Sequence, residues 1–229
     1  MGVRIRRAEQ SDRDLVVRLL DDAFMDDPVS GWVFPGEEYR RARHAGLMGV
    51  FTDATLADGY IDLVDDSAAV ALWMEMPDEP HQAHEPHDSH EANASDEVDG
   101  SPESAELAAL AEKELAEQAA AVRAAVDPDN ERVEQIARLT AGIHPVGRAH
   151  VYLWMIGVVP GRQGEGLGTA LMAPVLERCD REGLPVYLEA SNPRSRALYE
   201  RLGFVCTGTA LDLPDGPTLW PMWREPHTS

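Results

Sequence analysis

The chain has 229 residues, a formal net charge of −21 and 44% hydrophobic residues. This length and apolar content suit one domain with a sizeable core, and the negative charge disfavours nucleic acid as a partner. Two cysteines make neither a disulfide framework nor a zinc motif. There is no apolar stretch typical of a secretory signal or a membrane span. We therefore expect a soluble cytoplasmic protein, with no nucleic-acid or membrane partner.

The first 76 residues alternate between strand-like and helix-like patterns. Val3–Arg7 alternates apolar and basic residues and predicts a short strand. Ser11, with Asp14 three residues later, predicts a helix start, and the helix should end near Pro28, because the residue before a proline avoids the helical region. A second helix is predicted from Glu37 to about Leu56, and two strands at Tyr60–Val64 and Ala68–Met76.

Residues 77–130 form an acidic insertion. Residues 77–104 hold nine acidic residues and no Lys or Arg, which predicts an unstructured loop. Four histidines recur there at every third position, and they either bind a divalent metal or belong to a loop that tolerates composition drift: His81, His84, His87 and His90. The Ala- and Glu-rich segment Ser104–Val126 predicts a helix, either a lid over a pocket or a helix docked on the sheet.

The last hundred residues alternate strands with helices. A short helix at Glu131–Leu139 comes first. The predicted elements that follow are a strand at His150–Val159, a helix at Gly164–Glu182, a strand at Pro185–Ala190, a helix at Pro193–Leu202 that ends at Gly203, and strands at Phe204–Leu213 and Thr218–Trp223. The pattern predicts an α/β fold, with residues 1–229 as a single domain that carries the insertion at 77–130.

A glycine-rich segment, GRQGEGLG, follows the strand at His150–Val159 and precedes a helix. Backbone N–H groups at a helix start bind phosphate oxygens, and glycines let a ligand approach the backbone. A P-loop needs a lysine after its last glycine, and a dinucleotide fingerprint needs GxGxxG, so the segment matches neither. It is either a phosphate cradle of another kind or a tight packing turn.

Two blocks of sequence resemble one family. RQGEGLG is similar to the signature of the GNAT N-acetyltransferases, with Gln163, Gly166 and Gly168 at the signature positions. LEASNPRSRALYERLGF is similar to a second conserved block of that family, at Asn192, Ala197, Tyr199, Gly203 and Phe204. The segments AFMDDPVSGWVFP, HVYLWMIGVVP and YERLGF look like the puromycin N-acetyltransferase branch, whose members acetylate antibiotics and other small amines.

The resemblance implies a GNAT fold and acetyl-CoA as co-substrate, with no metal required. The central sheet would be mixed, flanked by helices and splayed between the strands at 150–159 and 185–190. Backbone groups of Ile156, Gly157 and Val158 would pair with the pantetheine arm, and one N–H would hold the oxyanion. The pyrophosphate would be held by Arg162, Gln163, Gly164, Glu165, Gly166, Leu167, Gly168 and Thr169. Asn192 would bind the cofactor, cap the helix that begins at Pro193, or do both.

The resemblance also implies direct attack on the thioester by an amine in a ternary complex. Tyr199 is the candidate general acid for the thiolate, and its alternative is a core aromatic. Glu189, at the carboxyl end of a strand, is the first candidate for the general base, and its alternative is a buried or rim carboxylate. His144 is the second candidate base, because the ordinary pKa of histidine suits that task.

The acceptor side is the least defined part of the sequence. Asp26 and Asp27 would attract a cationic substrate or form a solvated helix end. Trp32, Phe34, Trp73 and Trp154 would line an aromatic pocket or pack in the core. Three functions stay open: a small-molecule N-acetyltransferase, with antibiotic resistance as one role; a protein N-terminal or lysine acetyltransferase; and a non-catalytic acetyl-CoA sensor. The chain is expected to be a monomer or a homodimer.

Overall fold

The computed structural model describes residues 3–78 and 102–227. Its strands are β1 (Ile5–Arg7), β2 (Gly59–Val64), β3 (Ala69–Met76), β4 (His150–Val158), β5 (Val186–Ala190), β6 (Val205–Cys206), β7 (Leu211–Asp212) and β8 (Thr218–Arg224). Its helices are α1 (Arg13–Phe24), α2 (Pro28–Val33), α3 (Glu37–Asp58), α4 (Pro102–Val126), α5 (Glu131–Ala141), α6 (Leu167–Glu182) and α7 (Pro193–Arg201). The predicted α/β class is confirmed.

The strands form one mixed sheet in the order β1-β2-β3-β4-β5-β8-β6, with β7 paired to β8. Only the β4–β5 pair is parallel within the described residues. It is limited to two registered positions, Val151 opposite Val186 and Tyr152 opposite Tyr187. Beyond these positions the two strands separate, so the predicted splay of the sheet is confirmed.

A bulge in β4 lies at the point where the strands separate. Leu72 of β3 is opposite Met155, whereas its neighbour Trp73 is opposite Leu153. Trp154 is therefore one extra residue on β4, and such an insertion bends and twists a strand locally. The bulge turns the second half of β4 away from β5 and opens the gap between them.

Two apolar layers cover the two faces of the sheet. The layer beneath α6 and α7 includes Leu153, Leu171, Met172, Leu188 and Tyr199. The layer beneath α1, α2, α3 and α5 includes Val16, Leu20, Phe34, Ile61, Leu72 and Val133. Side chains alternate along a strand, so consecutive residues of β5 belong to different faces of the sheet.

The start of the first helix differs from the prediction. Ser11 does not cap it, because residues Gln10–Asp12 form a short 3-10 turn and α1 begins only at Arg13. The carboxylate of Asp12 accepts a hydrogen bond of 2.9 Å from the backbone N–H of Glu9. An acid three residues after the cap thus stabilises this turn, two residues earlier than expected.

The short helix α2 was not predicted, although its start carries a recognisable signal. Asp27 accepts a hydrogen bond of 2.9 Å from the N–H of Val29, and Pro28 occupies the first helical position. The single predicted strand at Phe204–Leu213 is also wrong. It is two short strands, β6 and β7, because the backbone at Gly208 adopts a φ of +65° between them.

The helical part of the insertion, α4, is confirmed. It packs against α3 and α5, and its end is anchored at Asp127, which is 5% exposed. Tyr39 donates a hydrogen bond of 2.7 Å to Asp127, and Asn130 donates one of 2.8 Å to the carbonyl of Val33. The four histidines at positions 81–90 lie outside the described residues, so their metal hypothesis stays a prediction.

None of the helices described in 3–78 and 102–227 is both long and apolar enough to cross a bilayer. Over the same residues, no group of three or more His, Cys, Asp or Glu side chains is arranged to hold a metal ion.

Candidate active site

A cavity of about 1000 Å³ follows the gap between β4 and β5. At one end it is lined by the glycine-rich loop and the start of α6, and at the other by α3, α4 and α5. Asp27, Asn192 and Tyr199 line its middle part, as does Glu189. The gap in the sheet thus connects the two ends of the cavity. One end is rich in backbone N–H groups, and the other is apolar.

The glycine-rich loop has a backbone that only glycine adopts easily. Gly161, Gly164 and Gly166 have φ values of +84°, +86° and +82°. The first intrahelical hydrogen bond of α6 runs from Ala170 N–H to the carbonyl of Gly166. The N–H groups of residues 167–169 therefore have no acceptor within the helix and point out of its start. This arrangement suits an anion such as a pyrophosphate, and α6 begins three residues later than predicted because these glycines precede it.

The side chains of the loop are held by neighbours. Arg162 forms ion pairs of 3.0 Å with Asp66 and 2.7 Å with Glu165, and Glu165 does not line the cavity. Arg194 was missed by the sequence interpretation. It stands in the first turn of α7 and donates a hydrogen bond of 3.2 Å to Gln163. The basic residues that follow Asn192 were the available signal for a second cation at this loop.

The open edge of β4 offers backbone groups of two residues. Val159 donates a hydrogen bond of 3.0 Å to Ala68, and backbone directions alternate along a strand. Ile156 and Val158 therefore direct their N–H and C=O groups into the gap, whereas Gly157 directs its own toward β3. Gly157 serves packing instead, because a Cβ there would lie 2.8 Å from the Cβ of Ala23 in α1.

Tyr199 and Asp27 both line the middle part of the cavity, close enough for the charge of Asp27 to act on the hydroxyl of Tyr199. Tyr199 is 6% exposed, and burial raises the pKa of its hydroxyl above the ordinary value, with a further contribution from the charge of Asp27. Ser191 donates a hydrogen bond of 2.7 Å to Asp27, and burial raises the pKa of that carboxyl. Asn192 accepts a hydrogen bond of 2.9 Å from the N–H of Ser195. Asn192 is thus the N-cap of α7, as one of its two interpretations stated.

Glu189 lies on the opposite face of the sheet from Tyr199. Its side chain is 6% exposed, and Tyr152 donates a hydrogen bond of 2.8 Å to its Oε2 atom. The Oε1 atom is buried and has no hydrogen-bond partner among the described residues. Burial raises the pKa of Glu189 to about 7 despite the hydrogen bond from Tyr152. This carboxyl can therefore take up and release a proton near neutral pH.

His144 faces the unpartnered oxygen of Glu189, with its Nδ1 atom 4.0 Å from Oε1. Its Nε2 atom is 3.2 Å from Nε2 of His150, whose Nδ1 is 2.8 Å from the carbonyl of Arg148. A carbonyl only accepts, so His150 donates from Nδ1 and His144 donates from Nε2. The lone pair of His144 Nδ1 then points toward Glu189. Burial lowers the pKa of His144 to about 4, so its ordinary pKa was a poor guide to its role.

Several residues predicted for the acceptor site lie elsewhere. Asp26 is exposed and does not line the cavity. Trp32 is 5% exposed and donates a hydrogen bond of 2.8 Å from its indole N–H to the carbonyl of Pro214, outside the cavity. Phe34 and Trp73 are fully buried in the core. Of the four aromatic residues considered, Trp154 lines the cavity.

A series of buried hydrogen bonds connects the three helices that lie next to Asp27. Ser30 of α2 lies 2.9 Å from His44 of α3, which lies 2.7 Å from Asp21 of α1. His44 is fully buried, and burial lowers its pKa. These hydrogen bonds hold α1, α2 and α3 together. The three residues are too far apart in the sequence for a local sequence pattern to predict their contact.

Comparison with known proteins places these features in one family. The model of the "Acetyltransferase (GNAT) family" matches residues 70–204, a span that contains both conserved blocks, the gap and the glycine-rich loop. An uncharacterised N-acetyltransferase from Schizosaccharomyces pombe is 46% identical over 54 residues, 24% of this chain and 22% of that protein. A mycothiol acetyltransferase from Streptomyces scabiei is 44% identical over 62 residues, 26% of this chain and 20% of that protein. The matches therefore span about a fifth of these relatives' own length.

Solved structures resemble the whole fold. A chain described as histone acetyltransferase HPA2 and related acetyltransferase, from Corynebacterium glutamicum, has a TM-score of 0.65 at 22% identity and covers 100% of this chain and 99% of its own. Arylalkylamine N-acetyltransferase 2 from Aedes aegypti has a TM-score of 0.60 at 14% identity, covering 99% of this chain and 100% of its own. At these identities the likeness concerns the fold alone.

Proposed function

The chain belongs to the GNAT acetyltransferase family, and from this premise we propose that it transfers the acetyl group of acetyl-CoA to the amine of a small molecule. The observation that carries the proposal is the continuous path from the N–H groups at the start of α6, through the gap between β4 and β5, to Glu189. A diphosphate, an amide-rich arm and a thioester would occupy that path in this order.

The donor would be held mainly by backbone groups. Leu167, Gly168 and Thr169 offer free N–H groups to the diphosphate, and Arg194 adds a cation beside the loop. Arg162 has its charge engaged by two acids, so its contribution comes through the backbone. Ile156 and Val158 extend the β4 edge to the pantetheine amides, as an added strand would be bound. One of their N–H groups would stabilise the oxyanion that forms on the thioester carbonyl.

The chemistry requires one proton to leave the amine and one to reach the sulfur. We assign the first step to Glu189, whose free Oε1 accepts a proton from the ammonium so that the amine nitrogen attacks the acetyl carbon. The C–S bond then breaks, and Tyr199 donates its proton to the leaving thiolate from the other face of the sheet. His144 turns its Nδ1 lone pair toward the protonated carboxyl of Glu189 but does not take the proton, because its pKa of about 4 lies below the value of about 7 for Glu189. Solvent then removes the proton from Glu189 and returns one to Tyr199, so both groups regain their starting forms.

The helices that line the far end of the cavity favour a small acceptor over a protein. Helices α4 and α5 cover the far end of the gap, where an extended peptide would need an open groove. The name of the mycothiol acetyltransferases supports a small-molecule acceptor too. Three segments similar to the puromycin N-acetyltransferase branch make an antibiotic amine a narrower form of the proposal.

Purified protein, acetyl-CoA and a thiol reporter test the proposal against its alternatives. The amine panel should contain simple alkyl and aryl amines, puromycin, lysine peptides and peptides with free N-termini. Thiol release only with small amines supports the proposal, and release with peptides selects a protein acetyltransferase. Calorimetric binding of acetyl-CoA without release for any amine would point to a sensor, and absence of binding would overturn the donor assignment.

A further inference from the structure

The far end of the cavity is a chamber with apolar walls, formed on the sheet face that carries Glu189. Five elements contribute side chains to it: α3, α4, α5, β4 and β5. The residues that define it are Phe51, Leu115, Ala119, Val122, Ile136 and Trp154. Phe51 and Trp154 lie with their ring centroids 4.8 Å apart and tilted by 53°, so they form an aromatic floor next to the base. We call this volume the acceptor chamber.

One wall of the acceptor chamber belongs to the insertion. Ala119 of α4 is 2% exposed and faces the chamber, and Val122 lies one turn further along the same side. Arg123 of α4 forms an ion pair of 3.1 Å with Glu134 of α5, and the anchor at Asp127 holds the end of α4. The wall is therefore fixed at several points, and its side chains define the size of the chamber.

Charge is distributed unevenly along the cavity. Among the described residues that line it, the arginines belong to the glycine-rich loop and to α7, at the donor end: Arg162, Arg194 and Arg201. Beyond the donor end, two carboxyls line the cavity, and Asp27 already accepts hydrogen bonds from Ser191 and from the N–H of Val29, so Glu189 is the one with a buried oxygen that has no partner among the described residues. Thr140 also lines it, but its hydroxyl already donates a hydrogen bond of 2.9 Å to the carbonyl of Ile136. Gln118 of α4 also lines the cavity but is an exposed residue, so a second charge or several hydroxyl groups on the acceptor would lie mostly against apolar walls.

We propose that the acceptor is an aralkyl monoamine: one primary ammonium on a short alkyl chain that ends in an aromatic ring, with no other charge. The ammonium lies against Oε1 of Glu189, the ring stacks on the Phe51–Trp154 floor, and α4 closes over it. This inference rests on the proposed acetyl transfer and specifies its substrate. The cavity of about 1000 Å³ also accommodates the pantetheine arm, which leaves room for an acceptor of one or two rings.

Four commercial amines test the substrate class with the wild-type protein. 2-Phenylethylamine has the proposed chemistry, phenylalanine adds a carboxylate, putrescine adds a second ammonium, and glucosamine replaces the ring with hydroxyl groups. We expect kcat/KM for 2-phenylethylamine to exceed the other three by about 100-fold, because each of them places polar groups against apolar walls. Comparable or faster acetylation of glucosamine, putrescine or phenylalanine would overturn the inference while leaving acetyl transfer itself intact.

Two substitutions on α4 test the role of the wall. Ala119→Trp fills the chamber and should lower kcat/KM for 2-phenylethylamine by about tenfold or more, with the acetyl-CoA Kd unchanged. Ala124→Trp, on the exposed side of α4, is the matched control and should keep full activity. Val122→Ala enlarges the chamber without overpacking, and it should shift preference toward 2-(1-naphthyl)ethylamine.

The outcomes distinguish the assignment of an aralkyl acceptor from the proposed acetyl transfer itself. If Ala119→Trp has the activity of Ala124→Trp, or Val122→Ala leaves the preference unchanged, the amine does not lie against α4. If wild-type protein binds acetyl-CoA but acetylates only polar amines or peptides, the aralkyl assignment is wrong and the donor chemistry stands. If no amine at all is acetylated, the proposed function fails and the inference fails with it.

Discussion

Replacement of Glu189 by glutamine probes the most perturbed carboxyl of the site. Burial raises its pKa from 4.5 to about 7, so between these values the folded chain holds a proton that the unfolded chain has released. The stability that comes from burying the neutral form is fully present below pH 4.5 and is lost as the pH rises through about 7. Glutamine keeps the shape and the hydrogen bond from Tyr152 but does not ionise.

The raised pKa of Glu189 determines the size of the stability difference. One pKa unit corresponds to 1.36 kcal/mol, so a rise from 4.5 to about 7 amounts to about 3 kcal/mol well above pH 7. Between pH 5 and pH 8 the free energy of unfolding of Glu189→Gln, relative to wild type, should rise by about 2.5 kcal/mol. The glutamine variant should therefore be the more stable protein at alkaline pH.

Urea unfolding at pH 5, 6, 7 and 8 measures this difference, and Glu177→Gln, at an exposed position on α6, is the control. The same variant tests catalysis, because a missing general base should lower kcat/KM by about 100-fold. Wild-type kcat/KM should rise about tenfold per pH unit below pH 7 and level off above it. A stability difference that is equal at pH 5 and pH 8 would refute the buried neutral carboxyl. An inflection near pH 7 that persists in Glu189→Gln would refute its role as base.

Three further substitutions test other parts of the site. Tyr199→Phe should lower kcat by about 100-fold with little change in the acetyl-CoA KM, and steady-state kinetics with an unchanged kcat would exclude the acid role. Gly157→Ala places a Cβ 2.8 Å from Ala23 and should cost about 1–3 kcal/mol in urea unfolding, unless α1 is free to shift. Gly166→Ala strains a backbone with a φ of +82° by about 1–2 kcal/mol, and calorimetry should show weaker acetyl-CoA binding; unchanged affinity would argue against the cradle.

The sequence alone sufficed for features that depend on contiguous residues. The strand, glycine-rich loop and helix around Gly166 were predicted in the right order, with the helix start three residues too early, because turn glycines and apolar periodicity act locally. The cap at Asn192 followed from the asparagine and the proline after it. The α2 helix carried a similar signal at Asp27 and Pro28, and it was missed only because that proline was interpreted as the end of α1.

The tertiary structure decided the features that depend on burial and on packing between distant segments. Asp26 and Glu189 are both carboxylates at element ends, yet one is exposed and the other has a pKa near 7, because only Glu189 is enclosed by neighbouring elements. The extra residue at Trp154 is defined by its pairing with β3, and no local pattern specifies that register. The chamber wall at Ala119 exists because α4 packs back on α3 and α5. Desolvation and register depend on the whole fold, so the sequence could indicate the donor loop but not the shape and charge of the acceptor side.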